Sequence, residues 1–211
     1  MKLSRRNFIG ASVVATAGLA TPTALATPGA LLSPTMPPKP KLAPQPTIVE
    51  QALAALDRHT ASIAHRDIVA IADFSLHSRE SRFHLVDVAG GRIKKSYLVS
   101  HGKGSDRSNS GLLQRFSNKP GSHATSRGSL LTGQTYFGKH GRSRRLHGLD
   151  DENDRAFDRA IVIHGADYVD RSMAQRQGRV GRSLGCFAFE RREIDEVLNL
   201  LGPGRLLFSA N

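Results

Sequence analysis

Two residues near the carboxyl-terminal end of the 211-residue chain could perform nucleophilic chemistry together. Cys186 is the only cysteine, and it stands between Gly185 and an apolar run. His164 ends another short apolar run and is followed by Gly165. An imidazole can take the proton of a thiol, and the resulting thiolate is a nucleophile. The pattern predicts a cysteine nucleophile with a histidine base. A core cysteine beside a structural histidine is an equally compatible interpretation of the spacing.

The segment around Cys186, residues 171–192, is strongly basic. Its only acid is Glu190, and its arginines are Arg171, Arg176, Arg179, Arg182, Arg191 and Arg192. Positive potential lowers the pKa of a thiol, so a catalytic Cys186 is expected to have thiolate character. Arg182 could hold a substrate carboxylate through two parallel hydrogen bonds, although six arginines could equally form a solvated face. Gly185 would let a substrate approach the backbone, whose N–H groups can stabilise an oxyanion.

The elements that position these residues are predicted to be mostly strands. The T-x-x-E pattern of Thr47 to Glu50 predicts a helix that runs to about His59. A second helix is expected over residues 192–201, and the Gly/Ser-rich residues 102–126 are expected to form a long functional loop. The predicted strands cover residues 68–76, a hairpin of 83–88 and 93–99, and residues 129–137, 160–163, 186–189 and 205–209.

The amino-terminal part of the chain has the composition of a signal peptide and a linker. In residues 1–26, Lys2, Arg5 and Arg6 precede a small-residue apolar run that ends in an A-x-A site. That run is shorter than a membrane span needs, so no stable span is expected after cleavage. Residues 27–46 hold seven of the ten prolines and are predicted to be an extended linker. The folded domain is predicted to cover residues 47–211.

Composition restricts the classes of function. The net charge of +12 suggests an anionic partner. A single cysteine excludes an intrachain disulfide and a multi-cysteine zinc site, and no motif indicates a metal or a cofactor. Basic and aromatic residues do not interleave as in a nucleic-acid-binding surface, so no nucleic acid is expected as a partner.

Several segments together resemble a known family. Ile163-His164-Gly165 followed by Ser183-x-Gly185-Cys186 is similar to the active-site signature of the YkuD-type L,D-transpeptidases, which remodel peptidoglycan. Segments such as His101-Gly102-Lys103-Gly104 and Gly138-Lys139-His140-Gly141 resemble the branch of murein L,D-transpeptidase catalytic domains. The resemblance covers most of residues 68–209. It implies a mainly β fold, a mixed β-sandwich of the L,D-transpeptidase type with peripheral α-helices.

The resemblance also implies roles for individual residues. Cys186 would be the nucleophile, His164 the base, and the Gly165 carbonyl would orient the imidazole. The N–H groups of Gly185 and Cys186 would form the oxyanion hole. The family usually has histidine immediately before the Gly-Cys pair, where this sequence has Leu184, so His164 is the only base within the signature.

Four residues are candidates for substrate binding, namely Ser183, Arg182, His140 and Tyr136. Ser183 and Arg182 adjoin the signature, and the other two lie in segments that resemble the family. For His140 the alternative is a polar surface residue, and for Tyr136 it is a core residue.

The implied activity is that of an exported enzyme acting on peptidoglycan stem peptides in the periplasm or cell envelope. Ser4-Arg5-Arg6-Asn7-Phe8-Ile9 resembles a twin-arginine export signal. Cys186 would form a thioester with a tetrapeptide stem, and an acceptor stem would resolve it into a 3→3 cross-link. Water as the acceptor would make the protein an L,D-carboxypeptidase, and a free D-amino acid would give exchange. A non-catalytic wall-binding protein of the same fold is the alternative from another class.

Overall fold

The computed structural model describes residues 46–211, which contain three helices and eight strands. The predicted signal peptide over 1–26 and the linker over 27–46, apart from Pro46, lie outside the described residues. The helices are α1 (Ile48–Arg58), α2 (Arg171–Gln177) and α3 (Ile194–Leu200). The strands are β1 (Ile68–Asp73), β2 (Phe83–Asp87), β3 (Arg92–Tyr97), β4 (Gly128–Gly138), β5 (Gly141–Gly148), β6 (Val162–Gly165), β7 (Phe187–Phe189) and β8 (Leu206–Ala210).

The eight strands form one mixed sheet in the order β3-β2-β1-β8-β4-β5-β6-β7. The pairs β1/β8 and β6/β7 are parallel, and the other neighbours are antiparallel. Consequently β6 and β7 lie together at one edge of the sheet, and both run toward the same end. The predicted mainly β fold with peripheral helices is confirmed.

Both faces of the sheet carry a hydrophobic core. Along β1, Ala70 and Ala72 face a cluster with α3, whereas Val69 and Ile71 face a cluster with α1. Successive side chains of a strand point to opposite faces, so a strand covered on both sides reads as a continuous apolar run. This explains why β1 shows no alternation of apolar and polar residues.

The structure adds two elements that the sequence pattern did not predict. Strand β5 (Gly141–Gly148) is basic and follows a two-residue turn, and helix α2 (Arg171–Gln177) lies inside the arginine-rich segment. Residues 102–126 contain no named helix or strand, as expected for a long loop. The helix α1 begins at the predicted capping box, in which Thr47 and Glu50 each accept a hydrogen bond from the other's backbone N–H.

Within residues 46–211, no helix combines the length and apolar character needed to cross a membrane.

Candidate active site

The strand ends of β6 and β7 open into a cavity of about 640 Å³. The register pairs Ile163 with Phe187, which places Cys186 beside Val162. Side chains alternate between faces, so Val162, His164 and Cys186 point to the same side. All three line the cavity, together with the four predicted substrate-binding residues Ser183, Arg182, His140 and Tyr136. The tertiary structure therefore brings six of the eight predicted site residues into one cavity.

The imidazole of His164 is neutral and has a fixed orientation. The residue is 2% exposed, and its Nδ1 lies 2.9 Å from the carbonyl oxygen of Gly165. Because a carbonyl only accepts hydrogen bonds, Nδ1 carries the proton and Nε2 keeps a free lone pair. Burial lowers the pKa of His164 to about 4, and the charges of Lys139 and Arg191 add to this effect. At neutral pH the ring can therefore accept a proton.

His140 covers one face of the His164 ring. The two ring centroids are 4.2 Å apart with 24° between the planes, a stacked arrangement. His140 and Lys139 form the two-residue turn between β4 and β5, where Gly138 pairs with Gly141. Since the hairpin is anchored by the long β4–β5 ladder, the stacked ring restricts rotation of the His164 imidazole. In this structure His140 is a packing neighbour of the proposed base as well as a lining residue.

The thiol of Cys186 is partly exposed to the cavity. Its Sγ–H donates to the carbonyl oxygen of Ala160 over 3.5 Å, and Ala160 has a φ of +54°. A left-handed φ at a residue other than glycine costs about 1 kcal/mol or more, and such strain concentrates at functional sites. The carbonyl of a strained residue thus contacts the Cys186 thiol.

The expected thiolate character of Cys186 is wrong for the free protein. Burial raises the pKa of the thiol above its ordinary value, while hydrogen bonding from the Val162 backbone and the charge of Arg159 oppose that rise only in part. A buried thiolate loses more hydration than the nearby cations return. The free site therefore contains a neutral thiol and a neutral imidazole that line the same cavity. A thiol in this state would need a base to become a nucleophile.

The loop before Cys186 is closed by the Ser183 hydroxyl. Ser183 Oγ donates to the Cys186 carbonyl (2.7 Å) and accepts from the Gly185 N–H (3.1 Å). Gly185 has a φ of +120°, and a Cβ there would lie 2.8 Å from the Ala124 carbonyl oxygen. Only glycine fits this conformation.

This hydrogen bonding bears on the predicted oxyanion hole. The Gly185 N–H is already used by Ser183, so it is not a free donor in this structure. The Cys186 N–H makes no hydrogen bond to another group within residues 46–211. Gly185 and Ser183 thus shape the nucleophile loop, and the Cys186 N–H is the donor available to an oxyanion.

Arg159 and Tyr168 are among the lining residues that the sequence did not indicate. Arg159 donates to the carbonyls of Ser117 (2.6 Å) and Ala124 (2.5 Å), and its charge lowers the pKa of the Cys186 thiol. Tyr168 borders the cavity from the segment after β6, and burial raises the pKa of its hydroxyl to about 12. No sequence pattern marks either residue as part of the site. Arg159 in particular is positioned by Ser117 and Ala124, which lie far from it in the sequence.

A short segment, residues 98–103, completes the far side of the site. Ser100 N–H donates to the Ala188 carbonyl, and Lys103 N–H donates to the Ser183 carbonyl, each over 2.9 Å. His101 anchors the segment in a buried hydrogen-bond network. Its Nδ1 lies 2.7 Å from the Arg82 guanidinium, and its Nε2 lies 3.3 Å from the Asp106 carboxylate. The His-Gly-Lys-Gly motif is thus a structural support of the nucleophile loop.

The fold and these side chains together define a class of site. A thiol, a base with an oriented ring and a backbone donor share one cavity at the edge of a mainly β sheet. That set suits acyl transfer through a covalent cysteine intermediate. Within residues 46–211, no group of three or more His, Cys, Asp or Glu residues is arranged to hold a metal ion.

The chain belongs to the L,D-transpeptidase catalytic domain family, which matches residues 41–209. This family acts on peptidoglycan. No curated protein matches the sequence.

Solved structures with a similar fold are L,D-transpeptidases of low sequence identity. An L,D-transpeptidase from Mycobacterium smegmatis is 12% identical, with 69% of this chain and 59% of that chain covered and a TM-score of 0.43. L,D-transpeptidase 3 from Mycobacterium tuberculosis is 12% identical, with coverage of 69% and 61% and a TM-score of 0.43. An L,D-transpeptidase from Xylanimonas cellulosilytica is 17% identical, with coverage of 76% and 69% and a TM-score of 0.39. The chain thus spans about 59% of the length of the M. smegmatis protein.

Proposed function

We propose that the protein is an exported murein L,D-transpeptidase that joins tetrapeptide stems through a thioester on Cys186. The observation that carries the proposal is that the only thiol and a neutral imidazole, whose Nδ1 is fixed by the Gly165 carbonyl, line the same cavity. A core cysteine or a structural histidine would not require this arrangement. Family membership supports peptidoglycan as the substrate.

In the first half-reaction the His164 Nε2 takes the thiol proton as Cys186 Sγ attacks the donor carbonyl. That carbonyl joins the third, diamino residue of the stem to its terminal D-alanine. The developing oxyanion accepts a hydrogen bond from the Cys186 N–H, which is otherwise unpartnered within residues 46–211. The protonated His164 then gives its proton to the D-alanine nitrogen, the C–N bond breaks, and D-alanine leaves.

In the second half-reaction an amine of an acceptor stem attacks the thioester carbonyl. His164 takes a proton from that amine and returns one to the departing sulfur, so the free thiol is restored. The product is a 3→3 cross-link. Since water could attack the same thioester, hydrolysis and cross-linking share every step up to acceptor entry.

The test is incubation of the purified protein with tetrapeptide-containing muropeptides, followed by mass analysis of the products. We expect cross-linked dimers together with one released D-alanine per cross-link. Tripeptides without dimers would instead indicate an L,D-carboxypeptidase. Unchanged muropeptides would contradict an enzymatic role and favour a non-catalytic wall-binding protein.

We further propose export through a twin-arginine signal in residues 1–26, on the basis of Arg5 and Arg6 and the weakly apolar run that follows them. Changing Arg5 and Arg6 to lysine is expected to retain the protein in the cytoplasm, as followed by fractionation. The doubly substituted signal keeps its charge and hydropathy, so it isolates the arginine requirement. Normal export of that variant would contradict a twin-arginine route.

A further inference from the structure

The cavity around Cys186 carries more positive charge than attack by a thiol requires. Five basic side chains line it, whereas no carboxylate does, and the five are Lys103, Lys139, Arg145, Arg159 and Arg182. Within residues 46–211, none of them has a carboxylate oxygen within 4.0 Å. Unpaired like charges repel each other and disfavour the compact state. Such a cluster indicates an anionic ligand.

Several basic residues elsewhere on the domain do form ion pairs. Arg205 pairs with Asp67 at 2.9 Å, Arg142 pairs with Asp195 at 3.1 Å, and Arg191, close to His164, is bound by both carboxylate oxygens of Asp167. What distinguishes the cavity is that five cations, and no carboxylate, face one enclosed space.

Four of these five cations lie on two sides of Cys186. Strand β7 has β6 on one side and the segment 98–103 on the other. Lys139 and Arg145 belong to the β4–β5 hairpin on the β6 side, and we call them the hairpin flank. Lys103 and Arg182 adjoin Ser183 on the opposite side, and we call them the far flank. A carbonyl placed on Cys186 would have one flank at each end.

One residue on each flank is best placed to bind an anion. On the hairpin flank, Arg145 lies 4.3 Å from the Tyr136 ring centroid, whereas Lys139 in the turn is exposed and without a salt bridge among the described residues. On the far flank, Arg182 is half-buried and is anchored by a hydrogen bond to the Asp106 carbonyl, which uses only one of its nitrogens. A guanidinium fixed in this way loses little entropy when it binds a carboxylate.

The chemistry of the first half-reaction orients the donor between the flanks. His164 must protonate the departing nitrogen, and His164 lies on β6, on the side of the hairpin flank. The leaving D-alanine and its carboxylate therefore lie toward Lys139. The acyl part of the donor extends the other way, toward Arg182.

Resting on the proposed function, we infer that the site selects donors that carry a free carboxylate on both sides of the scissile carbonyl. Lys139 binds the carboxylate of the leaving D-alanine, and Arg182 binds the carboxylate on the diamino residue. The substrate class is thus an unamidated stem whose diamino residue bears an acid group, and amidation of either carboxylate weakens the donor.

The experiment compares four synthetic tetrapeptide donors, with the terminal D-alanine and the diamino residue each as acid or amide. Acylation of Cys186 is followed by intact mass for wild type, Lys139→Gln, Arg182→Gln and the control Arg176→Gln, an exposed arginine on α2 that does not line the cavity. For wild type and the control we expect kcat/KM to fall about threefold or more for D-alaninamide, as for an exposed charge pair, and about tenfold or more for the diamino amide. Amidation of the terminal D-alanine makes the leaving amine less basic and so favours its departure. A slower reaction of the D-alaninamide donor therefore reports a lost contact.

For each variant, the acylation rate with the acid donor is divided by the rate with the matching amide donor. This ratio assigns each contact, because any effect of the substitution on thiol reactivity is the same for both donors and cancels. Lys139→Gln is expected to lose only the preference for the D-alanine acid, and Arg182→Gln only the preference for the diamino acid. Equal acylation of all four donors by wild type would overturn this inference while leaving the proposed function intact. Preferences that survive both substitutions, or that are lost in the opposite variants, would also overturn it. Acylation by no donor would instead contradict the proposed function.

Discussion

Replacing Cys186 with alanine is expected to abolish every covalent adduct with a donor stem. Sγ is the only thiol in the chain, and no other nucleophile is proposed at the cavity. Cys186→Ser is expected to lose nearly as much activity, because a hydroxyl is much harder to deprotonate than a thiol of pKa about 8.5. Intact-mass measurement after incubation with a tetrapeptide donor checks both variants.

The single cysteine allows an internal control for this prediction. Alkylation of the wild-type thiol modifies only Cys186, so the alkylated protein is expected to form no adduct. A bound donor is expected to slow this alkylation. Thermal unfolding of Cys186→Ala is expected to stay close to that of wild type, since the substitution removes one partly exposed atom. An adduct on the alanine variant would refute the mechanism and would make Cys186 a structural residue.

Replacing His164 with alanine is expected to slow acylation by about 10²–10⁴-fold, which is the usual contribution of a positioned base. The pH dependence follows from the shifted pKa values. In the wild type the base is lost as the pH falls through about 4, where His164 becomes protonated, so activity is expected to persist through mildly acidic pH. The variant has no base, and its rate is expected to rise with pH as hydroxide generates thiolate from a thiol whose pKa is raised by burial.

A matched histidine makes this result interpretable. His65 is exposed and does not line the cavity, so His65→Ala is expected to keep the wild-type rate and pH profile. His164→Ala also removes the stacking partner of His140, and its unfolding is therefore measured in parallel. A pH profile for His164→Ala that parallels the wild type would show that another group activates the thiol.

The main parts of the site could be predicted from the sequence because their signals are local. Cys186 follows a glycine at the start of an apolar strand, and His164 ends a buried strand before another glycine. Helix α1 was predictable because its capping box lies within four consecutive residues, Thr47 to Glu50. Each of these signals depends on neighbours in the chain and not on contacts at long range.

Other features depend on residues far apart in the sequence and were missed. Strand β5 carries Arg142, Arg144 and Arg145 and lacks the alternation of a half-buried strand, because its pairing with β4 and β6 is what stabilises it. Arg159 reaches the site through hydrogen bonds to Ser117 and Ala124, more than thirty residues earlier in the chain. A local pattern cannot report such contacts.

The protonation state of the site was decided by the tertiary structure alone. The sequence determined that a thiol, an imidazole and many arginines would occur in adjoining segments, and from these charges it indicated a lowered thiol pKa. Folding instead surrounds the partly exposed Cys186 and the buried His164 with protein atoms, so desolvation disfavours both the thiolate and the imidazolium. Sequence establishes which ionisable groups a protein has, whereas the hydration that each group loses depends on atoms brought around it from the whole chain.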